Sequence, residues 1–471
     1  MGPRIAIVNL FNALLAASAS PPATVLDRAN AFFEWTSGIL WGPWLLALLV
    51  GTHVYLTVRL GVVQRWLGPA IRLTFRPERS AEGDVSPFGA LATALAATVG
   101  AGNIVGVAVA VTAGGPGAIF WMWITGVLGI ATKYAEALLA LQFRVRNERG
   151  EMSGGPMYVL ANGLRLPWLG VLFAVFTVIA AFGIGNMFQA KAVTASVLEL
   201  VPEGTPETPI RVACGLIMAT ATGLVLIGGI KWIARFCEIL VPFMIGSYLV
   251  GCGIILALHW DQLPAAIALI LSDAFSGEAL AGGGLGGMIA AGVKRGLFSN
   301  ESGLGSAPIA AAAARSRNPA QQALVSMTGT FWDTVVICLI TGLVLVVTGV
   351  WKSGLEGAAM TASAFGKIPY VGPTVLTFGL ISFVFSTLIG WSYYGEKSLE
   401  YLGGLRFVPV YRWLWVVAIF LGATFPSSLV INFSDSANAL MAIPNLISLI
   451  ALAGLAARES KDLLSRPETF E

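Results

Sequence analysis

The stretch ATALAATVGAGNIVGVAVAV, residues 92 to 111, is apolar enough to lie in a lipid bilayer, yet polar and flexible residues interrupt its middle. Thr98, Gly100, Gly102 and Asn103 fall where a membrane helix has no water to satisfy its backbone. Irregular backbone at membrane depth is tolerated only where protein or a water-filled cavity satisfies its polar groups. The stretch therefore predicts a discontinuous helix that lines an internal cavity.

The composition of the 471-residue chain is that of a membrane protein. Hydrophobic residues make up 56% and charged residues only 11%, too few for an ordinary soluble surface. A helix needs roughly 20 apolar residues to cross a hydrocarbon core about 30 Å thick. The chain is thus predicted to be an all-α integral membrane protein with about eleven transmembrane helices. The predicted spans are residues 38–60, 86–112, 116–142, 167–195, 211–229, 236–258, 284–312, 322–350, 371–397, 408–426 and 430–457.

The basic residues predict the orientation. Most of the 28 Lys and Arg residues fall on one alternating set of loops and on the C-terminal tail, as in cytoplasmic loops. We expect a multi-pass protein of a bacterial-type cytoplasmic (inner) membrane, with its N-terminus outside and its C-terminus in the cytoplasm. Residues 1–20, MGPRIAIVNLFNALLAASAS, fit either a signal peptide or a short amphipathic helix on the outer surface. Basic residues that follow membrane loops give no indication of nucleic-acid binding.

The spans divide into two halves of opposite orientation. Residues 86–258 and 284–457 each contain five predicted spans, and because five is odd the second half enters the membrane from the other side. Transporters commonly carry such inverted repeats and bind substrate and ions at discontinuous helices near the midplane. The predicted segments are an N-terminal extracytoplasmic segment (1–37), a leading helix (38–60), the two repeats (86–258 and 284–457) and a cytoplasmic tail (458–471).

A second break supports a binding site at the first. SNESGLG, residues 299–305, interrupts the opening helix of the second half at nearly the same depth as the first break. Freed carbonyls can coordinate a cation, and amides at the start of the next half-helix can bind a carboxylate. Close helix packing is the alternative, because Gly102 and Gly106 form a GxxxG motif. The recurrence beside Asn300 and Glu301 favours a site.

Charged residues within the spans have nearby candidates for pairing. Lys133 and Glu136 lie three apart on one helix and are predicted to form a structural salt bridge. Lys294 or Arg295 is expected to neutralise Glu301 across the second break. Intramembrane charges are costly and usually face an interior, a cavity or a partner.

Hydroxyl groups in FVFSTLIGWSYYGEK, residues 383–397, suit a hard cation. Ser386 and Thr387 are adjacent, and Trp391 follows one helical turn beyond Thr387. Ions such as sodium prefer oxygen ligands. Hydrogen bonding between helices is the alternative reason for hydroxyls in a membrane span. Asp333, in FWDTVVIC, either orients this region or belongs to the ion path.

These motifs together resemble the alanine or glycine:cation symporter family, whose members have the leucine-transporter type of fold. The resemblance extends through almost the whole chain. Its motifs are ATVGAGNIVGVAVAVTAGGPGAIFWMWITG, ATKYAEALLA, GGPMYVL, GIGNMFQA, GGIKWIARFCEILVPFM, RGLFSNESGLGSAPIA, FSTLIGWSYYGEK and LMAIPNL.

The resemblance implies import of alanine, glycine or a similar small neutral amino acid, driven by sodium or less often by protons. It implies a fold of five plus five inverted helices after one leading helix. The residues carried over are Gly102 and Asn103 for the substrate, Gln189 and Trp391 for its side-chain pocket, and Gly100 with Thr387 for the cation, sodium. Ser386 is added as a cation ligand on the strength of its neighbouring hydroxyl.

One departure from the family pattern concerns the coupling ion. Where family members often carry Asn two positions after the Gln, this chain carries Lys191. Its ammonium has three possible roles: facing lipid headgroups, pairing with an acid, or replacing a bound metal ion, which would favour protons over sodium. The gating or coupling candidates are Asn300, Glu301, Asp333 and Lys191.

Two other classes of function are less favoured. An enzyme is not expected, because the chain has only His53 and His259 and contains neither HExxH nor GxSxG. No cofactor is predicted beyond the coupling ion. A channel shares cavities and broken helices with a transporter. The inverted halves favour alternating access over an open pore.

Overall fold

The computed structural model describes residues 24–76, 81–202, 204–226, 229–276, 287–369, 372–466 and 469–470. Within these ranges the chain is almost entirely helical. The strands found there are one antiparallel pair of two residues each, β1 (Val145–Arg146) and β2 (Met152–Ser153). The signal peptide or surface helix predicted at residues 1–20 lies outside the described residues.

The helices up to residue 274 include the first broken span. They are α1 (Val25–Leu40), α2 (Pro43–Arg59), α3 (Leu67–Thr74), α4 (Pro87–Thr98), α5 (Val107–Gly114), α6 (Gly117–Gln142), α7 (Pro156–Tyr158), α8 (Pro167–Phe182), α9 (Phe188–Leu198), α10 (Glu207–Leu226), α11 (Gly229–Leu258) and α12 (Leu263–Ala274).

The helices from residue 287 onward include the second broken span. They are α13 (Gly287–Asn300), α14 (Ala307–Ala311), α15 (Pro319–Thr330), α16 (Leu339–Val347), α17 (Gly357–Phe365), α18 (Gly372–Gly403), α19 (Val408–Thr424) and α20 (Ser427–Leu464). Wider π-helical turns join several neighbours, at Gly102–Gly106, Val159–Gly163, Gly183–Met187 and Phe331–Cys338.

The described helices agree with eight of the eleven predicted spans, and with ten if each of two bent helix pairs is counted as one span. Eight are long and apolar enough to cross a membrane, and two bent pairs, α1 with α2 (47°) and α4 with α5 (53°), bring the number to ten. The predicted span 284–312 begins outside the described residues and is interrupted between α13 and α14. A count of eleven therefore stays a prediction. Helix α12 was not among the predicted spans.

Both predicted breaks are confirmed. Helix α4 ends at Thr98, and Val99 turns to an extended backbone (φ −78°, ψ 92°). Helix α13 ends at Asn300, and the chain then takes left-handed conformations at Glu301 (φ 55°), Gly303 (φ 88°) and Gly305 (φ 87°). Left-handed conformation costs glycine little but strains other residues. The second break therefore interrupts the helix with backbone conformations for which two of the three residues are glycines.

Two long helices pack against both broken spans. Helix α6 contacts α5, α13 and α14, and helix α18 contacts α4 and α14. Side chains on α6 and α18 can therefore reach both breaks, and Glu136, Ser386, Thr387 and Trp391, described below, come from them.

The two broken spans are also hydrogen-bonded to each other, between the segment that precedes α4 and the segment that follows α14. The Asp84 N–H donates to Ala313 O (2.8 Å), and the Arg315 N–H donates to Val85 O (2.8 Å). Arg144 Nη1 donates to Ala314 O at 2.8 Å. Burial raises the pKa of the Asp84 carboxyl, although the hydrogen bond from the Met152 N–H opposes the shift. This junction holds the two broken spans together at one end.

Candidate functional site

At the first break, backbone oxygens at the end of α4 meet hydroxyls from α18. Thr387 Oγ1 lies 3.0 Å from Ala96 O and 3.4 Å from Val99 O, and Ser386 Oγ lies 3.2 Å from Ala96 O. Both hydroxyls also lie within 2.9 Å of Phe383 O on their own helix. A hydroxyl carries a single hydrogen, so it cannot satisfy all these oxygens at once. The cluster is rich in oxygen and suits a hard cation.

Gly100 allows this close approach. A Cβ atom at Gly100 would lie 2.6 Å from Thr387 Oγ1 and 3.1 Å from Gln189 Oε1. At Gly102 a Cβ would make only ordinary contacts, the nearest at 3.7 Å. Of these two glycines, Gly100 is the one whose missing side chain the packing requires.

Gln189 satisfies the backbone of the first break. Its Oε1 accepts from the Ala101 N–H (3.2 Å), and its Nε2 donates to Ile184 O (3.0 Å). Ala101 N–H is one of the amides that the break leaves without a helical partner. Gln189 therefore lies at the half-helix end, and both ends of its amide contact backbone. Its part in a side-chain pocket stays a prediction.

Asn103 and Asp333 connect the two breaks. Asn103 Oδ1 accepts from the Gly100 N–H (2.9 Å), and Asn103 Nδ2 donates to Asp333 Oδ1 (2.7 Å). The other oxygen, Asp333 Oδ2, accepts from Ser299 Oγ (3.0 Å) and Thr334 Oγ1 (2.6 Å). All these donors are buried in the protein. One carboxylate thus binds a residue of the first break and the last turn of α13.

Trp391 and Glu301 meet in the second break. Trp391 Nε1 donates to Glu301 Oε1 at 2.9 Å, and the Ser306 hydroxyl donates to Glu301 Oε2. The indole packs against Gly185, where a Cβ would overlap it at 2.3 Å. Trp391 therefore connects α18 to the second break. The hydrogen bond to Glu301 and the contact with Gly185 orient its indole ring.

Glu136 has a role that sequence reasoning missed. Its Oε1 accepts from the Gly303 N–H (3.0 Å), the Gly305 N–H (3.1 Å) and Asn445 Nδ2 (2.7 Å). The predicted ion pair with Lys133 is long, with Nζ 3.9 Å from Oε2. Glu136 mainly satisfies the free amides of the second break. The signal for Asn445 was a polar residue in an apolar run, within the quoted LMAIPNL motif.

The expected pairing of Lys294 or Arg295 with Glu301 is wrong. Lys294 Nζ instead lies 2.7 Å from Asp435 Oδ2 on α20, and the Arg295 guanidinium lies over the Phe298 ring. Lys294 precedes Glu301 by seven residues, which is about 10 Å along a helix. The Asp435 carboxylate on the neighbouring helix α20 lies nearer to the Lys294 ammonium.

Asn300 and Lys191 also contact backbone. Asn300 Oδ1 accepts from the Ser302 N–H (2.9 Å). Lys191 Nζ donates to Phe425 O (2.5 Å), just past the end of α19, where unpaired carbonyls carry partial negative charge. Lys191 caps a helix in this arrangement, and its part in coupling stays a prediction.

The buried charges around the breaks do not balance. Glu136, Glu301 and Asp333 are each at most 3% exposed, and the buried Lys133 forms only a long ion pair with one of them, Glu136 (3.9 Å). An uncompensated charge away from water is costly. The site therefore favours the presence of further cations or protons.

Comparisons with known proteins agree with this architecture. The model of the sodium:alanine symporter family matches residues 26–469. The chain is 48% identical to the sodium/alanine symporter AgcS of Methanococcus maripaludis, over 93% of this chain and 96% of that protein. An uncharacterized transporter of Haemophilus influenzae is also 48% identical, over 91% of this chain and 94% of its own length.

A solved structure shares the fold. The crystal structure of MhsT in complex with L-phenylalanine superposes with a TM-score of 0.58 at 16% identity, covering 81% of this chain and 99% of that one. At this identity the likeness concerns the fold alone. With its apolar helices and the family match along nearly its whole length, the chain belongs to the sodium:alanine symporter family, membrane proteins that carry out amino-acid symport.

Proposed function

We propose that this protein imports a small neutral amino acid, alanine or glycine, together with sodium by alternating access. The observation that carries the proposal is the oxygen cluster of Ala96, Val99, Ser386 and Thr387 beside the first break. Backbone carbonyls and hydroxyls are neutral oxygen ligands, and sodium is a hard cation that such ligands fit. In this proposal Gly100 lets the backbone approach, and Ser386 and Thr387 bind the ion.

The amino acid would lie between the two breaks. Gly102 and Asn103 would meet the substrate at the half-helix end, where amides favour a carboxylate. Gln189 and Trp391 would close the side-chain pocket. The large indole, fixed against Gly185, supports a small side chain in the substrate. The 48% identity to a protein named as a sodium/alanine symporter supports alanine.

Alternating access follows from two inverted halves. We assign residues 86–258 and 284–457 to five-helix repeats after a leading helix at 38–60, with segments 1–37 outside and 458–471 in the cytoplasm. The equivalent breaks in α4–α5 and α13–α14 support this assignment. The bundle that carries the breaks would rock against the remaining helices. The bias of Lys and Arg supports an outside N-terminus.

Coupling between the cation and the amino acid would come from residues that contact both breaks and from the need of the buried carboxylates for positive charge. Asp333 binds Asn103 and Ser299, so a change at either break is transmitted to the other. Glu301 contacts Trp391 in the proposed pocket. Sodium near these carboxylates would lower the cost of their burial.

Proton coupling is the second candidate, favoured by one observation. Three buried carboxyl groups, Glu136, Glu301 and Asp333, lie around the breaks, and protonation would neutralise them as well as sodium would. A channel has no comparable support.

Uptake of labelled alanine into proteoliposomes tests the proposal. We expect accumulation under an inward sodium gradient and none under an inward proton gradient alone. Accumulation driven only by protons would assign the second candidate. Equilibration without accumulation under either gradient would contradict symport and favour a channel.

Removing the hydroxyls of the oxygen cluster is expected to weaken sodium binding. Thr387→Val and Ser386→Ala each delete one oxygen ligand, and we expect the sodium concentration for half-maximal uptake to rise about tenfold, or about 1.4 kcal/mol. Ser382→Ala is the matched control, since Ser382 Oγ donates only to Phe378 O of its own helix, one turn before Ser386. An unchanged sodium dependence in both variants would remove these hydroxyls from the site.

Shortening Trp391 is expected to relax the selectivity for small side chains. Trp391→Phe removes ring volume and the donor to Glu301. We expect valine and leucine to compete with labelled alanine about tenfold better than they do in the parent protein. Trp413→Phe is the control, because Trp413 is 74% exposed on α19 and takes part in none of the contacts described above. The same competition profile in the parent and Trp391→Phe proteins would exclude Trp391 from the pocket.

A further inference from the structure

A cavity of about 400 Å³ lies between the leading helices and the second broken span. Its walls come from α2, α6 and α13, and the bend between α1 and α2 forms its rim. Representative apolar residues of the walls are Leu46, Val50, Ile124, Leu128, Ile289 and Val293. An apolar cavity of this kind stays dry and accepts apolar ligands, as engineered cavities of about 150 Å³ do.

The cavity opens at the molecular surface of the helix bundle. Leu46, Val50, Ile124 and Leu128 are only partly buried. Next to them on α2, Leu48 is 37% exposed. Because α6 and the bent pair of α1 and α2 are membrane-crossing candidates, we infer that the medium that meets this opening is lipid hydrocarbon.

The cavity has the length of one leaflet. Pro43 lies at its rim and His53 at its inner end, ten residues apart on α2, or about 15 Å at the helical rise. Half of a hydrocarbon core about 30 Å thick is the same distance. His53 lies beside the second break, with its Cε1 3.6 Å from where a Cβ of Gly303 would be.

A cation lies at the rim. Lys294 Nζ is 5.6 Å from the centre of the Trp41 ring, and Trp41 lines the cavity. The Lys294 side chain is 25% exposed although it pairs with Asp435, so its ammonium has room for a further anionic partner. At the inner end, His53 Nδ1 shares a hydrogen bond of 2.8 Å with Thr132 Oγ1.

We propose that this cavity binds one acyl chain of a membrane phospholipid, with the phosphate of its headgroup at Lys294. The apolar walls, the one-leaflet length, the opening towards lipid and the cation at the rim together match that molecule. The chain would pack against Ile289, Ala290 and Val293 on α13. Bound lipid would therefore stabilise one position of the half-helix that precedes the second break.

Photolabelling tests the site independently of transport. The full-length protein is reconstituted in vesicles that contain phosphatidylglycerol with a diazirine on its acyl chain, and labelled peptides are mapped by mass spectrometry. We expect labels on the cavity-lining residues of α2, α6 and α13. Ala47→Trp and Ala290→Trp fill the cavity from two different helices, and each should lower that labelling about tenfold. Leu48→Trp, on the outward side of α2, is the matched control and should leave it unchanged.

Several results would overturn the proposal. Equal labelling in the parent protein and in both cavity-filling variants, with all proteins eluting as single species, would show that the cavity holds no chain. Equal labelling by a diacylglycerol probe with the same diazirine chain would exclude a phosphate at Lys294. Cross-links between two copies of the protein through Ala290 would assign the cavity to a second protomer. Because two different helices carry the filling residues, a folding failure of one variant leaves the other to decide.

Discussion

Gly100→Ala is expected to abolish sodium-driven uptake while the protein still folds. The new methyl group would lie 2.6 Å from Thr387 Oγ1, inside any normal contact distance, so the hydroxyl or the break must shift. Misplacement by about 1 Å in a preorganised site costs roughly 100-fold in rate, and we expect a loss of alanine uptake of at least that size. The measurement is the initial rate of labelled alanine uptake into proteoliposomes across a range of sodium concentrations.

Two nearby glycines give graded controls. In the described part of the chain nothing lies within 4 Å of a Cβ placed at Gly106, so Gly106→Ala should transport normally. At Gly102 the added methyl would meet Ser299 and Phe298 at ordinary distances of 3.7 to 3.9 Å, so the loss should be smaller than at Gly100. Equal activity in all three variants would contradict the assignment of a cation site beside Gly100. Equal loss in all three would indicate a general effect of helix rigidity.

Glu136→Ala is expected to destabilise the whole protein. Three donors, the amides of Gly303 and Gly305 and the Asn445 side chain, would lose their common acceptor. Leaving a buried donor unsatisfied costs about 1–3 kcal/mol, and the buried Lys133 would also lose its nearest carboxylate. We expect the purified variant to melt about 10 °C lower in detergent, or to fail to accumulate in the membrane.

A conservative variant and a surface variant separate the causes. Glu136→Gln keeps one oxygen acceptor without the charge, and we expect a melting temperature between those of the parent and alanine proteins. Glu207→Ala removes a surface ion pair with Arg211, in which Glu207 is 61% exposed, and such pairs contribute only about 0–1 kcal/mol. A parent-like melting temperature for Glu136→Ala would show that water or a rearranged backbone can replace the carboxylate.

Lysine and arginine partners were the least predictable part of the site. Lys294 and Glu301 lie close in the sequence, yet the ammonium binds Asp435, which is 141 positions away. Lys191 lies two positions from Gln189 but binds the end of α19. Long flexible side chains pair with whatever the packing brings near them, so their spacing along the chain does not decide their partners.

The sequence by itself determined the features that depend on local chemistry. Apolar runs of membrane length, glycine-rich interruptions at residues 98–103 and 299–305, and the adjacent hydroxyls of Ser386 and Thr387 are all local patterns. Helix formation, helix breaking and transfer into lipid are set largely by neighbouring residues, and the structure has eight to ten candidate spans and both breaks. The same motifs were enough to identify the family.

Only the tertiary structure decided which groups meet at the breaks. Asp333 connects Asn103 to Ser299, Trp391 reaches Glu301, and Glu136 binds two amides of the second break. The residues of these contacts are separated by 34 to 230 positions in the chain. Any buried polar group must find a partner, but burial alone does not say which one. The packing of α6, α15 and α18 around the two broken spans makes that choice, because it fixes which side chains lie within hydrogen-bonding distance.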